Sequence, residues 1–181
     1  YEVTILDATA NVDVRSVTRV PSGHREDSDD PRQTRSLGEG VLQPVSHASN
    51  ELRAVLCHRT PHSGLQLACG VDHRFETDCA YTVESRCFEN EASVTFSVDA
   101  EAGSSIRLVK YITYHHDQGP DMGELRHRAR RTLDRAVRHG PADIHAEQRA
   151  WLDDFWRDSD YEVGDDAVQQ AIRFNLFQII Q

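Results

Sequence analysis

Catalysis or metal binding needs titratable side chains brought together, and the densest such group in the chain is His115, His116 and Asp117, within "YITYHHDQG". Imidazole and carboxylate are common metal ligands. Successive residues of a strand point to opposite faces, however, so His115 and His116 do not readily share one ion, and a strand end running into a polar turn is the plainer reading. His58, His62 and His73 lie in neighbouring strand-like segments, but their spacing alone does not bring them together. Asp72 in "ACGVDHRF" and Glu84 in "YTVESRCF" are the carboxylates nearest to apolar neighbours, the setting that raises a carboxyl pKa for acid catalysis. A strand residue facing solvent accounts for each. There is no G-x-S-x-G elbow, no phosphate-binding glycine loop and no paired zinc motif in the sequence. No residue is therefore assigned a catalytic, cofactor-binding or metal-binding role.

The four cysteines, Cys57, Cys69, Cys79 and Cys87, lack the close pairing of a zinc knuckle; Cys57, Cys69 and Cys87 sit in apolar, strand-like surroundings, and the set reads as buried free thiols in a reducing compartment. The formal charge of -10, from 20 basic and 30 acidic residues, disfavours nucleic acid or an anionic membrane as the main partner. No run approaches the roughly 20 apolar residues that cross a bilayer, and no leader is visible, so a cytoplasmic location is expected. In "LRHRARRTLDRAVRH" the arginines 126, 128, 130, 131, 135 and 138 could grip an anion, but they fit a solvated helix face as well. Trp151, Phe155 and Trp156 are different, because three large rings are not cheaply solvated; they read as an anchor against a neighbouring domain rather than a sugar-stacking platform.

Two periods divide the chain. From Tyr1 to about His116 the apolar residues mostly alternate, in "YEVTIL", "NVDVRSVTRV", "LRAVLCHRT", "LQLACGVDHRF", "CAYTVESRCF", "ASVTFSVDA" and "SIRLVKYITYHH". Turn signals such as "TPHSG", "ENEA" and "EAGS" separate the later runs. Short strands without intervening helices predict antiparallel sheets packed face to face. The stretch from Gly23 to about Asn50 has neither period and reads as a long surface loop, acidic at its start. Aromatic residues of the strand half (Phe75, Tyr81, Phe88, Phe96, Tyr111 and Tyr114) fall mostly where a core could take them.

Beyond "DQGPD" the period becomes helical. Asp121 can cap a helix with Met122, Leu125, Ala129, Leu133, Ala136 and Val137 on one face, Gly140 ends it, and Pro141 starts a second carrying Ile144, Trp151, Leu152, Phe155 and Trp156. Asp165 or Asp166 can cap a third, whose Val168, Ala171, Ile172, Leu176, Ile179 and Ile180 share a face that Phe174 and Phe177 widen. Such a face should be buried. At the other end "YEVTIL" already alternates like a strand in mid-sheet, and such abrupt ends suggest a piece of a larger protein.

The tail "EQRAWLDDFWRDSDYEVGDDAVQQAIRFNLFQIIQ", together with "IRLVKYITYHHD" followed by "ELRHRARRTLDRA", resembles glycoside hydrolase family 65, the maltose, trehalose and kojibiose phosphorylases and their relatives. The resemblance implies an antiparallel β-sandwich over residues 1–118, a helical linker over 119–160, and over 161–181 the first helix of a catalytic (α/α)6 barrel that is otherwise absent. It also implies a parent enzyme that cleaves an α-glucoside with inversion, using a glutamic acid as general acid and inorganic phosphate as co-substrate, both sites lying in the barrel. The chain itself is then non-catalytic and needs no cofactor. Its expected partners are the missing barrel, the parent's disaccharide substrate and a second copy of itself in a homodimer. The competing readings are the same region of a family hydrolase that uses water, and a free-standing carbohydrate-binding sandwich.

Overall fold

A computed structural model describes residues 1–20, 40–119 and 121–180. The chain divides into two compact units, Tyr1–Arg138 and His139–Gln181.

The first unit is mainly antiparallel sheet. Its strands are β1 (Glu2–Thr4), β2 (Ala10–Arg19), β3 (Gln43–Asn50), β4 (Arg53–Arg59), β5 (Gln66–Thr77), β6 (Tyr81–Cys87), β7 (Glu91–Ala100) and β8 (Ser105–Asp117). They form one sheet of five strands, ordered β1-β8-β5-β4-β3, and one of three, ordered β2-β7-β6. Every pairing is antiparallel. The expected alternating segments thus become strands, packed as the expected sandwich.

Burial follows the two-residue period of the pleat. On β2 the half-buried Val12 and Val14 and the buried Ser16 face inward, while Asp13, Arg15 and Val17 face out. Between the sheets, Val94, Phe96, Val98, Ala100, Ile106 and Leu108 form a continuous apolar layer with Val14 and Phe75. Phe75 and Phe96 stack with centroids 4.1 Å apart. Ala54 and Leu56 of β4 and Val71 of β5 meet Ala92 on this side.

Strand β4, between β5 and β3, departs from simple alternation because both of its faces are covered. Val55 and Cys57, with Ala68 of β5, point to the opposite side and pack under Leu125 and Ala129 of α1 (Met122–Ser159). Asp121 caps this helix, its Oδ1 accepting from the Gly123 and Glu124 amides at 2.8 and 3.2 Å. The face read from the sequence is the one buried, through Leu125, Ala129 and Leu133. Each buried leucine contributes roughly 2 kcal/mol of apolar transfer. The helical run is interrupted where expected, at Gly140 (φ 77°, ψ 165°), with Pro141 restarting it.

The second unit begins at His139, next to that break, and includes α2 (Asp166–Ile180). Asp165 caps α2, accepting from the Ala167 and Val168 amides at 2.9 and 3.0 Å. Arg173 pairs with Asp160, and the Gln169 side chain bonds the Tyr161 carbonyl and the Val163 amide, so the intervening turn is tied to the helix.

Three expectations need correction. Gln43–Asn50 is a strand, not a loop: its inward positions are Ser46 and Ala48, too small or polar to mark a strand, and Pro44 precedes a bulge at the sheet edge. Of the rest of that expected loop, residues 40–42 form a turn and residues 23–39 lie outside the described residues. "YEVTIL" sits at a sheet edge through the short β1 rather than in mid-sheet. No residue of α2 is fully buried, and Phe174 and Ile179 are exposed, because nothing in the described chain closes over that face.

Gly70 shows how closely helix and sheet approach. A Cβ there would lie 3.0 Å from both Leu133 Cδ1 and Thr113 Cγ2, and buried Leu133 has little room to yield. Gly70→Ala should therefore cost about 1–3 kcal/mol, read as a lower urea midpoint at unchanged slope. An unchanged midpoint would show that the helix is not seated there.

Candidate functional site

The sequence-derived candidates are dispersed. His115 reaches Thr132 Oγ1 of α1 at 2.9 Å, whereas its neighbour His116 faces the other side of the sheet, as the pleat requires. Burial, aided by Arg128 and Arg135, holds the His115 pKa below its ordinary value. Asp117 takes Arg128 as its ion-pair partner. His58 is fully buried and bonds Asn90 Oδ1 through Nε2 at 3.0 Å, His62 lies in the turn after β4, and His73 bonds elsewhere. Among the described residues no three potential ligands are placed to hold a metal ion. Glu84 is exposed beside Arg86, as a solvent-facing strand residue should be.

Asp72 contradicts the solvent-facing reading. It is buried on the helix side of β5, where its Oδ2 accepts from Arg53 Nε at 2.7 Å and Nη2 at 2.6 Å. The same guanidinium donates through Nη1 to Asp134 of α1 at 2.6 Å. Burial opposes the charge on Arg53, but hydrogen bonds to Asp134 and Asp72 outweigh it and raise its pKa. An alternating pattern shows which face a strand residue takes, not what covers that face; the missed signal is Asp134 on the polar flank of the helix.

A second polar centre lies between the sheets. His73 donates through Nδ1 to the Leu52 carbonyl at 2.7 Å, which leaves Nε2 to accept from Ser16 Oγ at 2.7 Å. Serine, imidazole and an orienting acceptor are the parts of an activated nucleophile. Here they are enclosed: Ser16 and His73 are both buried, and the void beside them, lined by His73, Arg53, Ala92 and Val94, measures about 10 Å³, room for a water and not for a substrate. Ser16 was not singled out from sequence, although its place after Val12 and Val14 on one face was readable. An open hollow of about 480 Å³ lies between His47 and Phe88–Glu91, but its Glu91 is engaged by Arg15 and Arg19.

All four cysteines are free, but only Cys57 and Cys69 are buried, whereas Cys87, also expected inside, is half-buried on edge strand β6. Of the strand-half aromatics, Phe96 and Tyr111 are buried and Phe75 half-buried, but Tyr81, Phe88 and Tyr114 are exposed, which corrects the expectation that most would enter the core. On α1, Trp151 stacks on Phe155 with ring planes 10° apart, and Phe155 meets Trp156 edge-on.

These features define an antiparallel β-sandwich module with a C-terminal helical segment and no open catalytic constellation among the described residues. The sequence matches the glycosyl hydrolase family 65 N-terminal domain over residues 1–155, and the chain belongs to that family. An uncharacterized glycosyl hydrolase of Mycobacterium tuberculosis is 34% identical over 182 residues, covering 100% of this chain and 23% of the relative. An α,α-trehalose phosphorylase of Thermoanaerobacter brockii is 32% identical over 156 residues, covering 86% of this chain and 20% of the phosphorylase. The fold matches a structure described as a kojibiose phosphorylase from the human microbiome, with a TM-score of 0.73 at 19% identity, over 94% of this chain and 21% of the other. The chain thus spans about a fifth to a quarter of the length of these relatives.

Two measurements probe the polar interior. Burial keeps the His73 imidazole below its ordinary pKa, with Lys110 acting in the same direction and Asp72 opposing it. The unfolded chain then binds this proton first, so the His73 contribution to stability is complete above about pH 6.5 and declines as pH falls below that value. The ring resonance of His73 should titrate below 6.5 by NMR; a midpoint at or above 6.5 would contradict the enclosed neutral pin. Burial also pushes the Cys57 and Cys69 thiols up, while hydrogen bonds from Ser104 and the Glu101 backbone lower Cys79. Iodoacetamide should label native Cys79 first and reach Cys57 and Cys69 only on unfolding, by peptide mass mapping.

Proposed function

We propose that this chain is the N-terminal and linker portion of an inverting disaccharide phosphorylase, and that it shapes and supports a catalytic domain without performing the chemistry. The observation that carries this reading is the family 65 N-terminal match over residues 1–155 in a chain that covers only 20% of a trehalose phosphorylase. The substrate class is an α-glucoside such as maltose, trehalose or kojibiose, and inorganic phosphate is the co-substrate. Inverting transfer needs a general acid on one face of the sugar and a nucleophile on the other. Asp72 is locked by Arg53, Ser16 and His73 are buried beside a void of one water that His73 lines, and Glu84 is solvated beside Arg86, so the phosphate and acid sites are assigned to a barrel outside these residues.

Residues 1–118 then act as the sandwich, 119–160 as the linker, and 161–181 as the first barrel helix, in a cytoplasmic protein. No helix among the described residues is long and apolar enough to cross a membrane. The exposed Phe174 and Ile179 of α2 supply a surface for the barrel, and the Trp151–Phe155–Trp156 cluster an anchor for it. Self-association as a homodimer is part of the same reading. A family hydrolase using water is the second reading, favoured by the 34% identity to a mycobacterial relative described as a glycosyl hydrolase.

The test is to assay the 181-residue chain and a polypeptide extended to the relatives' full length with trehalose, maltose and kojibiose, with and without phosphate. The short chain should be inactive and the long one should release glucose 1-phosphate only with phosphate. Phosphate-independent glucose release by the long form would favour the hydrolase. Turnover by the short chain, abolished by replacing one of its carboxylates, would overturn the assignment.

A further inference from the structure

Sheet edges expose unpaired backbone groups, and most edges here are guarded. Strand β1 has three residues, and β3 carries Pro44 and a bulge. On β2, Asp13, Arg15 and Arg19 charge the outer side, and Lys110 Nζ occupies the Val17 carbonyl at 2.9 Å. Strand β6 has neither the short length nor the bulge, and its two outward charges, Glu84 and Arg86, bond each other. It is the last strand of the β2-β7-β6 sheet, contains no proline, and keeps an unbroken register with β7. Its residues 81–86 are all exposed.

The exposure is anomalous on one side. Tyr81, Val83 and Ser85 stand opposite Val98, Phe96 and Val94, three buried core residues, and so face the interior of the sandwich. Tyr81 and Val83 are nevertheless 45% and 42% exposed. Tyr81 meets Phe75 edge-on at 4.9 Å, so the apolar layer continues to this edge, where no described residue covers it. A strand added beside β6 would pair its free backbone and shield that layer together.

We propose that the occupant is β6 of a second copy, paired antiparallel about a two-fold axis through Ser85. This interface rests on the proposed self-association of the chain and fixes where it occurs. A two-fold that keeps both interiors on the same side allows only registers in which inward residues oppose inward ones. Centring on Glu84 sets Glu84 against Glu84, two like charges. Centring on Ser85 sets Glu84 opposite Arg86 twice, on the outer face, and Val83 opposite Cys87 on the inner face. Glu84 Oε1 now accepts from its own Arg86 at 2.7 and 2.9 Å, and the dimer exchanges that contact for two cross-strand pairs.

Sedimentation equilibrium of the 181-residue chain across a concentration series tests this, with far-UV circular dichroism confirming that each variant folds. The parent chain should dimerise. Arg86→Glu or Glu84→Arg should each weaken the dimer about tenfold, roughly 1.4 kcal/mol, and the double exchange should restore it. Ser85→Cys should form a disulfide-linked dimer on mild oxidation, since facing residues of an antiparallel pair lie within bridging distance. A monomer at every concentration would overturn both the interface and self-association. A dimer equally tight in Arg86→Glu would overturn the β6 interface alone.

Discussion

A sheet has two faces, and the five-stranded sheet of this protein must keep both away from water. Three strands cover one and a single amphipathic helix covers the other. Much else in the first unit follows. Strand β4 is buried almost end to end because it lies under both layers, while β3 and β1, at the margins, are short of large apolar residues or short of length. The close helix approach explains the small residues on that side, Ala68 and Gly70, which let Leu133 and Ala129 settle against the backbone. The three-stranded layer is the narrower of the two, and its edge is where apolar side chains remain in solvent.

Polar groups inside such an arrangement cost least when paired, since an unpartnered buried donor or charge costs more than its bond contributes. Each layer contact has a buried pairing of this kind. Between the sheets, the Ser16–His73–Leu52 chain links β2 to β5 and to the residue preceding β4. Between sheet and helix, Arg53 holds Asp72 and Asp134 at once. Both carry geometric information that apolar packing lacks, because a slip of one residue would separate a donor from its acceptor. They pin register and helix position, at a partial desolvation cost that the paired geometry offsets.

How legible this was in the sequence follows from the same physics. The strands with large alternating residues, β2, β5, β7 and β8, were readable, as were Asp121 and Asp165 as caps and Gly140–Pro141 as a break, because those signals are local. Strand β3 was missed because its inward residues are Ser46 and Ala48, chosen for what lies beside them on β4. The burial of Asp72 was missed because it depends on Arg53 and Asp134, respectively 19 residues before and 62 after it, the latter on another type of element. Helix α2 erred in the other direction: its apolar face was read correctly, but burial is a property of partners, and none in the described chain covers it.

That asymmetry bears on what the domain can do. The residues best suited to proton transfer, His73 with Ser16 and the carboxyl of Asp72, are consumed by holding layers together, and the adjoining void admits about one water. Opening a substrate-sized cavity there would remove the contacts that align the sheets, so the sandwich cannot acquire a catalytic pocket at its polar centre without losing its own architecture. What it can offer is a rigid body with uncovered apolar margins at β6 and, in the second unit, on α2. Surfaces of that kind act by packing, which is the contribution the proposed reading asks of them.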